Sequence, residues 1–182
     1  MKSMHDYTLE TERFVMTLIH DSDAQDVFTV MNDRQTAEII SFLIWPVTME
    51  QAESWCERSI RGFAEKKEFL FIARSKSDHR PVGCISLHGT NEPNIAEVGY
   101  MVTKDCQGQG CATEMLKAII PFAFRLSRVS FLRATAAFEN EVSSHILKKQ
   151  GFVLIGKRDL PTAKDTILHC HLYEYAQSPV QE

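Results

Sequence analysis

The chain has 182 residues, 44 % of them hydrophobic and 24 % charged, which is the composition of a single globular domain. Its formal net charge of −4 argues against a protein held on nucleic acid through phosphate neutralisation. The five cysteines contain no C-x-x-C pair, so neither a disulfide framework nor a zinc knuckle is predicted, and a reducing cytosol fits best. The longest apolar run, residues 39–45, is too short to span a bilayer, and the N-terminus lacks the apolar core of a signal peptide. We therefore expect neither export nor membrane insertion.

The first half of the chain alternates between helical and extended patterns. Residues 13–19 are predicted to form a strand, and residues 21–32 a helix with apolar side chains at helical spacing. Thr48 and Gln51 have the spacing of a capping box, which predicts a second helix from there to about Gly62. An antiparallel meander of three strands, separated by polar turns, is predicted for residues 69–75, 82–88 and 95–103.

The second half begins with the strongest helical pattern of the chain, which starts at Gly110 and repeats apolar residues along one face. Pro121 lies inside this pattern and is expected to kink the helix or to end its regular part. The remaining predicted elements are a strand at residues 131–137, a helix at 141–150 and strands at 153–157 and 167–175. Together they predict one mixed α/β (α+β) domain over residues 1–176, followed by a flexible tail at 177–182.

The loop between the meander and this helix, Gln107-Gly108-Gln109-Gly110-Cys111-Ala112, predicts an anion site. A helix N-terminus offers free amide donors at the positive end of the helix dipole, and glycines let the backbone approach a phosphate closely. No Gly-Lys-Ser/Thr follows, which excludes a Walker loop, and Thr113 replaces the third glycine of a dinucleotide fingerprint. Alone, the loop is equally consistent with a plain strand-to-helix connection, so its neighbours must decide.

Those neighbours resemble the GNAT N-acetyltransferases. The similar segments, in chain order, are Ala-Glu-Val-Gly-Tyr-Met-Val at residues 96–102, the loop at 107–112, Asn-Glu-Val-Ser at 140–143 and Gly-Phe at 151–152. Leu-Glu-Thr-Glu-Arg at residues 9–13 makes the chain similar to the branch that holds the bacterial ribosomal-protein N-terminal acetyltransferases. The resemblance covers the whole chain and implies a central, mostly antiparallel, twisted sheet of about seven strands flanked by about four helices.

The resemblance also implies that acetyl-CoA is the cofactor. Backbone amides from Gly108 to Thr113 would hold its pyrophosphate, and the strand segment at residues 100–102 would pair with the pantetheine arm as an added strand. Such pairing requires this strand to splay away from the strand at residues 131–137. The implied cofactor-binding residues are Tyr100, Met101, Val102, Gln107, Gly108, Gln109, Gly110, Cys111, Ala112, Thr113 and Asn140.

Acyl transfer to an amine requires a neutral nucleophile, a stabilised oxyanion and a proton for the leaving thiolate. Because alkyl ammonium groups have a pKa of about 10, a base or a desolvated path for the proton is needed. Glu97 matches the glutamate that serves as base in several family members. The alternatives are that Glu97 only orders a water molecule or that its side chain faces solvent. The oxyanion is expected to meet a strand amide near Met101.

Many relatives use as the acid a tyrosine that lies seven residues beyond the asparagine, on the helix that follows it, and this chain has Leu147 there. In the ribosomal-protein branch the serine of Asn-x-x-Ser is proposed to protonate or hydrogen-bond the thiolate, and Ser143 matches it. A hydrogen bond to the local backbone at the start of a helix is the alternative role of Ser143.

Two further groups of residues allow more than one interpretation. His169 and His171 flank Cys170 and would share one face of a strand, but no carboxylate cluster accompanies them, so a surface or core role is favoured and no metal is assigned. Phe42 and Trp45 are expected either to line the acceptor pocket or to belong to the core.

The expected function is therefore acetyl transfer to a primary amine, which is either a protein N-terminus or a small amine. A protein that binds or senses acyl-CoA without transferring the acyl group, and a phosphate-binding regulatory domain, are the alternatives. No nucleic-acid or membrane partner is expected, and a homodimer is compatible with the sequence, which does not fix the oligomeric state.

Overall fold

The computed structural model describes residues 7–126 and 129–177, so the predicted tail lies outside the described residues except for Gln177. Within these ranges the chain forms one sheet of eight strands and five α-helices. The strands are β1 (Thr8–Glu10), β2 (Phe14–Leu18), β3 (Glu68–Ser75), β4 (Pro81–Gly89), β5 (Ile95–Val102), β6 (Phe131–Ala137), β7 (Val153–Pro161) and β8 (Ile167–Ala176). The helices are α1 (Ala24–Met31), α2 (Arg34–Ile39), α3 (Met49–Ala64), α4 (Cys111–Arg125) and α5 (Glu141–Lys149).

The strands lie in the order β1-β2-β3-β4-β5-β6-β8-β7. Every neighbouring pair is antiparallel except β5 and β6, which are parallel. This arrangement confirms the mixed α+β fold with a mostly antiparallel sheet. The elements beyond the expected number are β1 and α2, which have three and six residues and are too short to show a hydrophobic period.

Helix α3 begins where the capping box predicts. Thr48 Oγ1 accepts a hydrogen bond from the Gln51 amide at 3.2 Å, and Gln51 Oε1 accepts one from the Thr48 amide at 2.8 Å. These two bonds satisfy amide donors that a helix N-terminus otherwise leaves unpaired. The helix runs two residues beyond the predicted end at Gly62 and buries Trp55 and Cys56 against the sheet.

Helix α4 continues through Pro121 to Arg125. Of the two expected effects of the proline, an end of the regular part is therefore wrong, and a kink stays a prediction. Proline removes the hydrogen bond to the carbonyl four residues earlier, which here belongs to Lys117. Both Pro121 and Lys117 are exposed, so the freed carbonyl lies on the solvent side of the helix, where water can satisfy it. The opposite side of α4 buries Met115, Leu116 and Ile119 completely.

The two faces of the sheet have separate hydrophobic cores. Helix α4 and Leu147 of α5 cover one face, while α1 and α3 cover the other. Strand β5 contributes alternately to both, with Val98 in the first core and Met101 in the second. Successive side chains of β5 therefore point to opposite faces of the sheet. Glu97 and Tyr100 lie on different faces and contact different sets of residues.

Candidate active site

The sheet opens between β5 and β6. The two strands pair over three positions only, Ile95 with Phe131, Ala96 with Leu132 and Glu97 with Arg133, although both strands continue beyond them. From there β5 stays paired with β4, and β6 stays paired with β8. The result is a wedge-shaped gap between the two strands, in the position where the sequence predicts a splay.

Two hydrogen bonds show which backbone groups of β5 face this gap. The Thr103 amide donates to the Val82 carbonyl of β4 at 2.9 Å, and the Phe131 amide of β6 donates to the Asn94 carbonyl at 3.2 Å. Backbone groups alternate in direction along a strand, so odd-numbered residues of β5 point to β4 and even-numbered residues point to β6. The bond of Thr103, an odd-numbered residue, and the bond of Asn94, an even-numbered residue, agree with this assignment of the two sides.

Tyr100 and Val102 therefore present their backbone groups to the gap, like residues of an edge strand. The Val102 carbonyl accepts a hydrogen bond from Gln107 Nε2 at 3.4 Å. Met101 pairs with Cys84 and directs its own amide to β4. The backbone amide expected near Met101 as the oxyanion donor would therefore belong to Tyr100 or Val102. An extended ligand with amide groups can add to such an edge as a further strand.

The glycine-rich loop lies at the wide end of the gap. Gly108 and Gly110 have positive φ angles of 72° and 75°, a conformation that glycine adopts without steric cost. No side chain within the described residues caps the first turn of α4, whereas Thr48 caps α3 and Asn140 caps α5. The uncapped amides of Cys111, Ala112 and Thr113 leave the start of α4 open to an anion.

Arg13 connects this loop to the start of the sheet. Its guanidinium donates to Glu114 Oε2 at 2.6 Å and to the Gln109 carbonyl at 3.1 Å, and its amide donates to Glu114 Oε1 at 2.9 Å. Burial opposes ionisation of Glu114, but hydrogen bonds from Thr11 and Arg13 outweigh it and lower the pKa of the carboxyl. Sequence reasoning assigned no function to Arg13. The only indication of a role was that Arg13 belongs to the Leu-Glu-Thr-Glu-Arg segment at residues 9–13, which is similar to the ribosomal-protein branch.

A cavity of about 520 Å³ lies beside the loop, between the β1–β2 and β3–β4 turns, and includes Arg13, Lys76 and Arg80 in its wall. Each of these cations already has an acidic partner: Glu114 for Arg13, Glu10 for Lys76 and Asp78 for Arg80. The gap between β5 and β6 is therefore the better candidate for an anionic cofactor than this cavity.

Glu97 lies on the sheet face covered by α1 and α3. Its carboxylate accepts a hydrogen bond from the Arg158 guanidinium at 2.7 Å, and about a quarter of each side chain is exposed. Its paired neighbour in β4 is His88. The His88 ring contacts Ser86 Oγ at 2.7 Å and lies 3.5 Å from the buried carboxylate of Glu68. Sequence reasoning missed this chain of polar side chains next to Glu97.

Tyr100 directs its side chain to the opposite face, where it meets Ser143. The two hydroxyl oxygens are 2.8 Å apart, and Asn140 Oδ1 accepts a hydrogen bond from the Ser143 amide at 3.0 Å. Burial raises the pKa of Tyr100 to about 12, with the hydrogen bond to Ser143 acting in the other direction. The structure thus brings together Tyr100, a predicted cofactor-binding residue of the strand, and Ser143, a predicted catalytic residue of the helix.

Phe42 and Trp45 lie between α2 and α3, with 42 % and 38 % of their surfaces exposed. The Phe42 ring packs at a tilt against the Trp55 ring, with 5.6 Å between the ring centroids. The tip of the β7–β8 hairpin is attached nearby, because the Ala163 amide donates to the Ser41 carbonyl at 2.7 Å. Their role in an acceptor pocket stays a prediction.

The two histidines of β8 have different surroundings, and the buried Nδ1 of His171 has no hydrogen-bond partner within the described residues. His169 Nδ1 contacts Asp159 at 2.8 Å, and the His171 ring packs against Phe138 at 4.6 Å. Across residues 7–126 and 129–177, no three His, Cys, Asp or Glu side chains form a group that could hold a metal ion. Over the same ranges, no helix has both the length and the apolar character to cross a membrane.

A sheet that opens between two parallel neighbours, with an uncapped helix and a glycine-rich loop at the opening, defines an acyl-CoA N-acyltransferase architecture. The family model described as an acetyltransferase (GNAT) domain matches residues 13–153, and the chain belongs to this family.

The relatives agree with this assignment. The chain is 25 % identical to the uncharacterized N-acetyltransferase YoaA of Bacillus subtilis (strain 168) over 145 residues, which cover 79 % of this chain and 81 % of YoaA. The ribosomal-protein-S5-alanine acetyltransferase from Vibrio fischeri has the same fold, with a TM-score of 0.81, 20 % identity and coverage of 97 % and 100 % of the two chains. The ribosomal L7/L12 α-N-protein acetyltransferase RimL, solved with coenzyme A, gives a TM-score of 0.79, 16 % identity and coverage of 93 % and 98 %.

Proposed function

We propose that the protein transfers the acetyl group of acetyl-CoA to a primary amine by direct attack in a ternary complex. The observation that carries this proposal is the stretch of β5 at Tyr100 and Val102 that has no strand partner on the β6 side and leads to the uncapped N-terminus of α4. An extended amide chain that ends in a diphosphate matches both features, and pantetheine joined to the pyrophosphate of coenzyme A is such a ligand.

In this proposal the loop and the first turn of α4 bind the pyrophosphate through the amides of residues 108–113. The backbone groups of Tyr100 and Val102 pair with the pantetheine arm, and Asn140 contacts the cofactor from the α5 side of the gap. Gln107 and Gln109 support the loop indirectly, because their side chains bind the Val102 and Asp105 carbonyls.

The acceptor amine approaches from the face that carries Glu97. Glu97 removes a proton from the ammonium group, directly or through one water molecule, and the neutral nitrogen attacks the thioester carbon. A backbone amide that faces the gap stabilises the oxyanion. The C–N bond forms as the C–S bond breaks, and the nitrogen then gives up its second proton to solvent. Ser143 donates a hydrogen bond to the departing sulfur.

Two acceptor classes fit this site, a protein N-terminal α-amine and a small-molecule amine. The solved relatives named above act on ribosomal proteins, which supports the first class. The exposed rings of Phe42 and Trp45 offer an apolar surface for either class. Thiol release from acetyl-CoA, measured across a panel of N-terminal peptides and small amines, tests the activity and identifies the acceptor class together.

The panel needs two controls. The same peptides with a blocked N-terminus report whether the α-amine or a lysine side chain reacts, and acetyl-CoA alone reports hydrolysis. Thiol release that requires a free α-amine supports a protein acceptor, and release with small amines alone supports the second class. Release with no member of a broad panel contradicts the proposed transfer.

A second candidate is an acyl-CoA-binding protein without transfer activity. The observation that favours it is the ion pair between Glu97 and Arg158, which already occupies the proposed base. Both candidates predict that acetyl-CoA at about 100 times its dissociation constant adds roughly 2.7 kcal/mol to the free energy of unfolding. A thermal shift without turnover would favour the second candidate, and the absence of any shift would contradict both.

A further inference from the structure

The hydroxyl groups of Tyr100 and Ser143 form a pair beneath the gap between β5 and β6. Tyr100 comes from β5 and Ser143 from the first turn of α5, yet their oxygens are 2.8 Å apart. Ser143 is held from its other side by Asn140, which accepts a hydrogen bond from its amide. Strand and helix therefore fix the position of both oxygens.

The chemistry of the two hydroxyl groups indicates the direction of their hydrogen bond. A phenol is more acidic than an aliphatic alcohol and is the stronger donor, and burial keeps Tyr100 protonated by raising its pKa to about 12. A serine oxygen can accept one hydrogen bond while it donates another. When Tyr100 donates to Ser143, the hydrogen of Ser143 is free to point elsewhere.

The gap is the place to which this hydrogen can point. The backbone of Tyr100 faces the gap, and its side chain leads from there to Ser143 at the start of α5, which packs against β6. The side chains of β6 on this face, Ala134 and Ala136, are small and buried. Their small size limits the steric obstruction between β6 and the hydroxyl pair.

We infer that Tyr100 is a positioning residue that donates to Ser143 Oγ and thereby directs the Ser143 hydrogen at the sulfur of the donor. This inference rests on the proposed function. As the amine nitrogen bonds to the thioester carbon, the C–S electron pair moves to sulfur, and Ser143 stabilises the developing thiolate through its hydrogen bond. Glu97 takes the first proton of the ammonium group, and the nitrogen releases its second proton to solvent once the C–N bond has formed. The thiolate takes a proton from solvent on release, so Tyr100 stays protonated throughout.

A double-mutant cycle tests the inference in the full-length chain. Tyr100→Phe keeps the ring and the backbone but removes the hydroxyl, and we expect kcat to fall about three- to tenfold with the KM for acetyl-CoA changed less than twofold. Ser143→Ala should lower kcat about 10- to 100-fold, because it removes a hydrogen bond to a charged group. The double variant should be no slower than Ser143→Ala, because Tyr100 acts through Ser143.

Tyr175→Phe is the matched control, since Tyr175 is a partly buried tyrosine of β8 that packs on Phe152, away from the gap. It should leave kcat unchanged. An equal loss from Tyr100→Phe in the wild-type and Ser143→Ala backgrounds would reveal a purely structural role and overturn the inference. An unchanged kcat in Tyr100→Phe would overturn it as well.

A second measurement does not depend on the acceptor, so it separates this inference from the proposed function. The ultraviolet absorbance of the thiolate reports the pKa of the coenzyme A thiol bound to the protein, with desulfo-coenzyme A as the blank for the protein's own cysteines. We expect a lower thiol pKa on the wild-type protein than on Tyr100→Phe or Ser143→Ala. Equal values on all three proteins would refute the inference even if turnover is observed.

Discussion

Arg158 and Glu97 form an ion pair across two intervening strands. Arg158 lies on β7 at the edge of the sheet and Glu97 on β5, with β6 and β8 between them, yet the guanidinium and carboxylate are 2.7 Å apart. The register neighbour of Glu97 on β6 is Arg133, which instead binds Glu174 and Glu92. The pair therefore lies beside the point where β5 and β6 part, on the face from which the acceptor approaches in the proposed function.

We predict that Arg158→Gln lowers the KM for a cationic acceptor about two- to fivefold. Arg158 and an acceptor ammonium would compete for the same carboxylate, and a partly exposed ion pair of this kind contributes only about 0.2 to 1 kcal/mol. Steady-state kinetics with varied acceptor and saturating acetyl-CoA measure the effect. Lys67→Gln, which breaks an exposed pair with Glu65 elsewhere, is the control and should leave KM unchanged. A higher KM in Arg158→Gln would show that the arginine assists acceptor binding instead.

Glu97→Gln should lower kcat about 100-fold or more at neutral pH. The amide has nearly the same shape but cannot accept the amine proton, and a positioned general base contributes a factor of this size. The loss should shrink as the pH rises towards 10, because more of the acceptor amine is then neutral without a base. The pH profile of kcat for both proteins checks this. The acetyl-CoA thermal shift should stay normal, and an unchanged kcat would remove Glu97 from the mechanism.

Arg13→Ala should weaken acetyl-CoA binding about three- to tenfold while kcat at saturating donor changes little. The substitution removes the bonds that hold Gln109 and Glu114, so the loop loses part of its preorganisation. Titration calorimetry with acetyl-CoA measures the dissociation constant. Arg80→Ala is the matched control, because Arg80 contributes to the same cavity but pairs with Asp78 in an exposed turn. Equal affinities for Arg13→Ala and the wild type would contradict a role in loop order.

The Glu114 carboxyl should make the fold sensitive to acid. Its pKa in the folded state lies below the ordinary value of 4.5, so the folded state binds fewer protons than the unfolded state in this range. The stabilising contribution is complete above about pH 4.5 and is lost as the pH falls through the lower folded-state pKa. Urea unfolding at pH 7, 5 and 4 should therefore show a smaller loss of stability in Glu114→Gln than in the wild type. Glu38→Gln, which affects an exposed pair with Arg34, should follow the wild-type curve.

The sequence predicted those features whose cause is local. The capping box at Thr48, the apolar face of α4 and the loop at Gly108 and Gly110 each depend on residues within a few positions of one another. The apolar pattern predicts a strand that ends at Lys157, whereas β7 extends to Pro161, because its polar far half also pairs with β8 in the hairpin.

The contacts of the site depend on topology and could not be predicted in the same way. Glu97 and Arg158 are 61 positions apart, and their meeting follows from the order in which β6, β7 and β8 join the sheet. Tyr100 and Ser143 were both named from the sequence, but their contact depends on how α5 packs. Likewise, the choice between Met101 and its neighbours as amide donors required the hydrogen bonds of Thr103 and Phe131.

The short pairing between β5 and β6 also bears on the order in which the two substrates would bind. Three residue pairs join the five strands on one side of the gap to the three strands on the other. A donor lying in the gap would bridge the two halves and form one wall of the acceptor's binding surface. An acceptor that arrived first would meet an incomplete surface, so the proposed function predicts that acetyl-CoA binds before the amine and that coenzyme A leaves last.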